Sequence, residues 1–225
     1  DHRDLHSFPT RRSSDLKNIV DVGGNPLIKY TIDAALDLEI LTHCVVSTDS
    51  DEISDVAKSC GALVPFKRPK HLSDDQALSL PVMQHAVEFM ESKQGYQYDL
   101  VIMLQPTTPL RQTSDIDNAI KLLFDTNADS VVSVVEVDGY HPLRMKRVVD
   151  GRLINYIDQG HEDMRPRQEL PPVYIRNGAI YATIRDVLMD KDSFTGSDIR
   201  SYIMPLERSI NIDTQLDLQL AKSFF

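Results

Sequence analysis

Apolar residues along the chain fall into two spacings, and the change from one to the other marks the expected elements. Ile28, Ile32, Ala35 and Leu36 share one helical face behind Asn25-Pro26, an N-cap and a first-turn proline, which predicts a helix over 26–38. Cys44-Val45-Val46 reads as a short buried strand, and Ser47-Thr48-Asp49-Ser50 after it can cap a second helix carrying Ile53, Val56, Ala57 and Cys60. Gly61 is its natural stop. Residues 62–66 predict another strand, and the polar, proline-broken stretch from Lys67 to Gln76 a loop. Val82, Met83, Ala86, Val87 and Met90 set a helix from about Ser79 to Lys93, and Leu100 to Leu104 a buried strand. Ile116, Ala119, Ile120 and Leu123 give the next helix, beginning near Ser114, and Ser130 to Glu136 is strongly β-branched.

The rhythm then breaks. Met145–Val149 and Leu153–Ile157 flank Asp150-Gly151, a two-residue hairpin signal. Ala179-Ile180-Tyr181-Ala182 returns to strand, with Asn177-Gly178 expected to turn into it, and Ser201 to Met204 adds another strand. Thr214 and Asp217 match a capping box opening a last helix with Leu216, Leu220 and Phe224. Strands alternating with helices imply an α/β fold with a mostly parallel sheet covered on both faces, interrupted by an insertion over 138–175.

Composition narrows the function. A formal charge of −10 argues against a protein that coats nucleic acid or anionic membrane. Two cysteines make a disulfide framework improbable and suit a cytoplasmic protein, and no apolar run reaches the ~20 residues of a membrane helix. Residues 1–16 match, residue for residue, the translation of a common sequencing adapter; they are expected to be non-native, with the domain proper spanning 17–225.

Polar side chains gather where predicted strands end: Asp49, Gln105 to Arg111, Asn177, and Asn211 to Asp213. In open α/β sheets ligands bind at that edge. Lys17, Arg68, Arg111 and Arg167 can add positive charge there, which suits a polyanionic substrate held with Mg²⁺. Each arginine has a plain alternative as a solvated or paired side chain, Asp213 one as a carboxylate at a helix N-terminus, and His141 reads as a structural loop residue.

The order of these pieces resembles the acylneuraminate cytidylyltransferases, the CMP-sialic acid synthetase family. The resemblance is carried by Lys17-Asn18-Ile19, Val46 to Asp49, Arg68-Pro69, Asp75 to Ser79, Leu104 to Arg111, His141-Pro142-Leu143, Arg167 to Pro171, Asn177 to Tyr181 and Ser209 to Thr214. It implies a three-layer, Rossmann-like nucleotidyltransferase fold with a mostly parallel mixed sheet and a small β-containing dimerisation arm, 138–175, hence a homodimer. The implied reaction joins CTP to a nine-carbon α-keto acid sugar such as N-acetylneuraminate, with legionaminic or pseudaminic acid as alternatives. Lys17 and Asn18 are then expected at the CTP phosphates and nucleoside, with Lys17 catalytic, and Arg68 and Ser79 at the cytidine. Gln105, Thr107 and Arg111 would frame the sugar pocket, and Arg167, Gln168, Asn177 and Tyr181 would lie near its carboxylate and tail. Asp213, catalytic, and Asn211 are the expected Mg²⁺ ligands, although many relatives carry Asp at the position of Asn211. Ile175-Arg176 replaces an Arg-Pro of several sialic acid enzymes. The family's Arg-x-x-Ser-Lys phosphate loop would fall on Phe8 and Arg11-Arg12. A binding protein without catalysis is therefore the rival class.

Overall fold

The computed structural model describes residues 17–74, 77–137, 139–157, 160 and 164–225, the side chain of Arg167 excepted. The adapter-like segment 1–16, and Asp75 and Gln76 of the expected loop, lie outside the described residues.

The helices follow the apolar spacing closely. α1 (Leu27–Leu36), α2 (Asp51–Ser59), α3 (Ser79–Gln94) and α4 (Thr113–Thr126) each turn inward the face read from the sequence, except that Leu36 at the end of α1 is exposed. Ser50 caps α2 by accepting from Ile53 N–H, and Gln112 with Asp115 forms a capping box on α4 that starts the helix earlier than expected. At the first helix the expectation fails. Asn25 is not an N-cap: β1 (Asp21–Val22) and β2 (Asn25–Pro26) form a tiny hairpin around Gly23 and Gly24, both at positive φ, and α1 starts after it. Adjacent glycines there suit a tight turn better than a helix entry.

β3 (Leu100–Met103), β7 (Tyr174–Ile184), β4 (Ser130–Glu136) and β8 (Ile199–Ile203) form the main sheet in the order β3-β7-β4-β8. β3, β4 and β8 share one direction, while β7 runs against both neighbours. The insertion explains the reversal. It leaves from the end of β4 and returns at the same end, where Val137 N–H donates to Val173 O at 2.7 Å, so the next strand must run back. Asn177-Gly178 is not a turn into β7 but lies within it, where the β4–β7 register shifts between Val132 and Val134. Gly178 has φ +78°, so the strand absorbs the Asn-Gly signal as an irregularity.

Helices cover both sheet faces. Ile116, Ile120 and Leu123 of α4 pack with Leu100, Ile102, Val131 and Ile180 on one face, and α1 contributes Ala34. Met83 and Val87 of α3 pack with Val101, Met103 and Leu188 of α5 (Arg185–Met189) on the other. α6 (Gln215–Lys222), with its Thr214–Asp217 capping box, closes a satellite core around Val22, Leu27 and Ile212. Residues 44–46 and 62–64, expected as strands, meet only through a parallel bridge at Val45 and Leu63. β5 (Lys146–Val149) and β6 (Arg152–Asn155) form the expected hairpin, with Asp150 and Gly151 both at positive φ. At its base His141 accepts from Leu143 N–H and bonds Pro171 O, the structural loop histidine expected there.

Candidate active site

Residues 44–49 and 99–106 border a cavity of about 830 Å³. Its polar mouth lies where these two extended stretches end, in Ser47 to Asp49 and in Gln105-Pro106. That is the carboxyl edge at which open α/β sheets bind ligands. Asn18, Arg68, Ser79 and Gln105, four residues singled out in the sequence, all line it. Asn18 comes from the short turn 17–19, and Ser79 opens α3, whose N-cap residue Leu78 supplies no side-chain acceptor to the first turn. Arg68 is fixed by Ser47, donating from Nε to Oγ at 3.0 Å and from its terminal nitrogen to the backbone carbonyl.

A second polar group surrounds α6's N-terminus. Lys17 Nζ lies 3.3 Å from Asp213 Oδ1, the lysine largely covered and the carboxylate largely exposed. Asn211 Nδ2 donates to Asp213 Oδ2 at 2.6 Å, while Asn211 Oδ1 is buried with no hydrogen-bond partner among the described residues. The Asn211–Asp213 loop is tied to the Gln105–Arg111 loop by Ile212 N–H donating to Thr107 O at 2.8 Å. Thr107 thus joins the two loops through its backbone.

No cluster of three or more His, Cys, Asp or Glu is present among the described residues. Asp213 and Asn211 instead offer one carboxylate and one orphaned amide oxygen. Asn211 turns its amide nitrogen to Asp213, so the Asp213 carboxylate is the ligand that fits Mg²⁺ as placed. That ion keeps waters and takes one or two carboxylates with substrate phosphates, and the Asn211 oxygen would join it with the amide turned over.

Other expected site residues take supporting places. Arg111, expected in the sugar pocket, is 3 % exposed. Its guanidinium donates to Gln105 O, Thr108 Oγ1, Ala179 O and Thr31 Oγ1, clasping the loop to α1 and β7. Burial lowers its pKa to about 10, so it stays cationic at neutral pH. Asn177 is also turned inward: its Oδ1 accepts from Ser133 Oγ and Ala179 N–H, and its Nδ2 donates to Ser209 Oγ. Tyr181 is buried, its ring edge-on to Phe194. Gln168 and the backbone of Arg167 sit on a short turn, 167–169, in the insertion.

Several residues of this framework take roles that the sequence did not point to. Ser47 anchors Arg68 and Thr31 receives Arg111, roles that depend on residues 21 and 80 positions away. Gly178 is favoured by its φ of +78°, and a Cβ there would also push aside the tip of the Gln105 side chain. Asp115 is buried and accepts from Arg208, from Gln112 N–H and from Tyr202. Burial pushes its pKa up, but those hydrogen bonds outweigh it and the net shift is downward.

The cytidylyltransferase family model matches residues 12–194. The pseudaminic acid cytidylyltransferase of Campylobacter jejuni is 32% identical over 209 residues, covering 93% of this chain and 89% of the relative. An N-acylneuraminate cytidylyltransferase of Streptococcus agalactiae is 31% identical over 205 residues, 89% of this chain but 47% of that longer protein. In fold the chain is similar to a CMP:2-keto-3-deoxy-manno-octonic acid synthetase solved with CTP, with a TM-score of 0.65 at 19% identity over 92% of this chain and 90% of that one. A match of this extent, on a sheet whose carboxyl edge opens into a polar-mouthed cavity, means that the chain belongs to the cytidylyltransferase family.

Proposed function

We propose that the protein transfers CMP from CTP to the anomeric hydroxyl of a nine-carbon α-keto acid sugar, N-acetylneuraminate or a relative such as pseudaminic acid, releasing pyrophosphate. The observation that carries this reading is the convergence of Asn18, Arg68, Ser79 and Gln105 on one cavity whose flanking loop is bonded to the loop of Asp213. The chemistry is in-line attack of the sugar hydroxyl on the α-phosphorus, a transfer in which positioning and electrostatics dominate. Arg68, held by Ser47, and Ser79 at a helix N-terminus bind and orient the nucleotide; Gln105 faces the sugar side. Lys17 supplies positive charge to the phosphates once they draw it from Asp213. Asp213 and Asn211 would hold Mg²⁺ together with the substrate phosphates, and the ion supplies neutralisation of charge on the leaving pyrophosphate.

The reading is tested by following pyrophosphate release from CTP with a panel of nonulosonic acids. Turnover with one of them, lost at least ~10²-fold in Asp213→Ala with an unchanged melting curve, is the expected result. Absence of turnover with every sugar, or full turnover in Asp213→Ala, would overturn it.

The same proposal extends to assembly and place. The β5–β6 arm exposes Val148 and Leu153 at 72% each, with Tyr140 and Met164 near its base, an apolar surface that a second copy would cover. Sedimentation of the intact chain should give a dimer, and Val148→Asp with Leu153→Asp a monomer; a monomer before mutation sinks the idea. Cys44 and Cys60 are both free thiols, which suits a reducing cytoplasm. Among the described residues no helix is long and apolar enough to cross a membrane.

A further inference from the structure

The Asp213 carboxylate is 67% exposed, so packing does not fix it. Its contacts with Lys17 and Asn211 belong to the group that phosphates and a metal ion would rearrange. Its place is therefore set by the backbone on either side. On the C-terminal side, Asp213 N–H and Thr214 N–H both donate to Asp217 Oδ2, at 3.1 and 2.7 Å, within the capping box of α6. On the N-terminal side the first charged residue back from Asp213 is Arg208, which ends the short turn Leu206–Arg208.

Arg208 grips Asp115 as a fork, with Nη2 donating to Oδ1 at 2.7 Å and Nε to Oδ2 at 3.1 Å. The carboxylate is 1% exposed and the arginine side chain 27%, so solvent ions screen the pair little. A bidentate pair sets direction as well as distance. Neither residue lines the cavity, which separates them from groups that would touch a substrate there.

The same carboxylate opens α4, where Oδ2 accepts from Gln112 N–H at 2.9 Å. Gln112 directly follows the Gln105–Arg111 loop. One buried carboxylate thus holds that loop at its end and the 205–213 loop at Arg208. The two loops meet again where Ile212 N–H donates to Thr107 O. Two attachments fix an angle between the loops, which a single one would leave free. Ser209 steadies the turn independently, donating to Pro205 O at 2.8 Å and accepting from Asn177 at 2.9 Å. Cutting the fork at Arg208 therefore loosens the direction of the segment while Ser209 and Ile212 keep it attached.

We propose that Arg208, clamped by Asp115, is a positioning residue for Asp213, fixing the direction in which segment 209–213 presents the metal-binding carboxylate beside the Gln105 loop. The inference rests on the proposed function in one respect, that Asp213 is the Mg²⁺ ligand.

The test compares Arg208→Gln, Arg208→Lys and Tyr202→Phe in the intact chain. Tyr202 donates to the same carboxylate at 3.0 Å, but from β8 rather than from the loop, so Tyr202→Phe controls for damage to Asp115 itself. Amide exchange needs no ligand. In Arg208→Gln the Ile212 N–H should exchange about tenfold faster relative to Val131 and Ile180 in the sheet, and in Tyr202→Phe that ratio should not change. Isothermal titration with CTP, in Mg²⁺ and in EDTA, gives the second readout. The strengthening of CTP binding by Mg²⁺ should fall about tenfold in Arg208→Gln with the EDTA value unchanged, and lysine should restore only part of it, since it returns the charge without the fork. A merely structural loss would weaken binding in both media alike. An unchanged Ile212 ratio in Arg208→Gln, an equal change in Tyr202→Phe, equal weakening in both media, or full recovery by lysine would overturn the positioning role. A Mg²⁺ effect that is absent from the wild type or survives Asp213→Ala would refute the metal assignment instead, and the Ile212 ratio would still decide whether Arg208 sets the loop.

Discussion

The β3-β7-β4-β8 side of the molecule and the side holding residues 44–46 and 62–64 are written in the same apolar language, yet only the first forms a continuous ladder. β4 sits between β7 and β8, with Val131 at 0% exposure, and α4 seals it. The other side has similar β-branched residues and its own helix, α2, but its extended segments share a single bridge and border the cavity. An apolar run becomes a strand when an edge is available to pair with, and pairing depends on neighbours distant in sequence. The two sides are held together less by sheet than by α1 and by the buried Arg111.

The comparison can be broken first at that clasp. Arg111→Ala removes donors from Gln105 O, Thr31 and Ala179 together, and should lower unfolding free energy in urea by about 3–5 kcal/mol. Arg111→Lys should recover only part of this, because one ammonium cannot span acceptors set for a planar fork. A loss below ~1 kcal/mol would show that the clasp does not join the two sides.

A smaller effect separates the sides directly. Ile180→Ala, in the fully buried middle of β7, should cost about 2–5 kcal/mol through transfer and cavity terms. Val46→Ala, half-buried beside an existing cavity, should cost about 1 kcal/mol or less. Equal losses would erase the distinction.

A further effect concerns pH and sharpens the ordered side alone. Asp115 titrates below its ordinary range in the folded protein, so its share of stability is present above the unfolded carboxylate pKa of about 3.9. That share is lost as pH falls through the lower folded value. Asp115→Asn should therefore be less stable at pH 7 by about 1–3 kcal/mol, and the gap should close on acidification below about pH 4. A gap that stays constant with pH would assign the effect to packing.

Much of the candidate site was legible, and for identifiable reasons. Gln105 and Ser79 follow or open elements whose apolar spacing is strong, so their places at the sheet edge came with the elements. Arg111 and Asn177 read equally well as ligand groups, and no spacing distinguishes a side chain aimed at a ligand from one aimed into the core. Their burial is set by Thr31 and Ser209, partners on other elements. Asn177-Gly178 misled for the opposite reason: its local preference for a turn is real, and β7 used the same left-handed φ for an irregularity inside a strand.

By itself the sequence determined every helix but the short α5, the β5–β6 hairpin, the capping box of α6 and the α/β class, because caps, turns and apolar periods act over a few residues. Tertiary structure alone decided that β7 runs against its neighbours, that Arg111 is a clasp, and that residues 44–46 and β3 line one cavity. Those outcomes depend on which backbone edges and which buried acceptors meet, and long-range pairing leaves no periodic trace in the residues that take part.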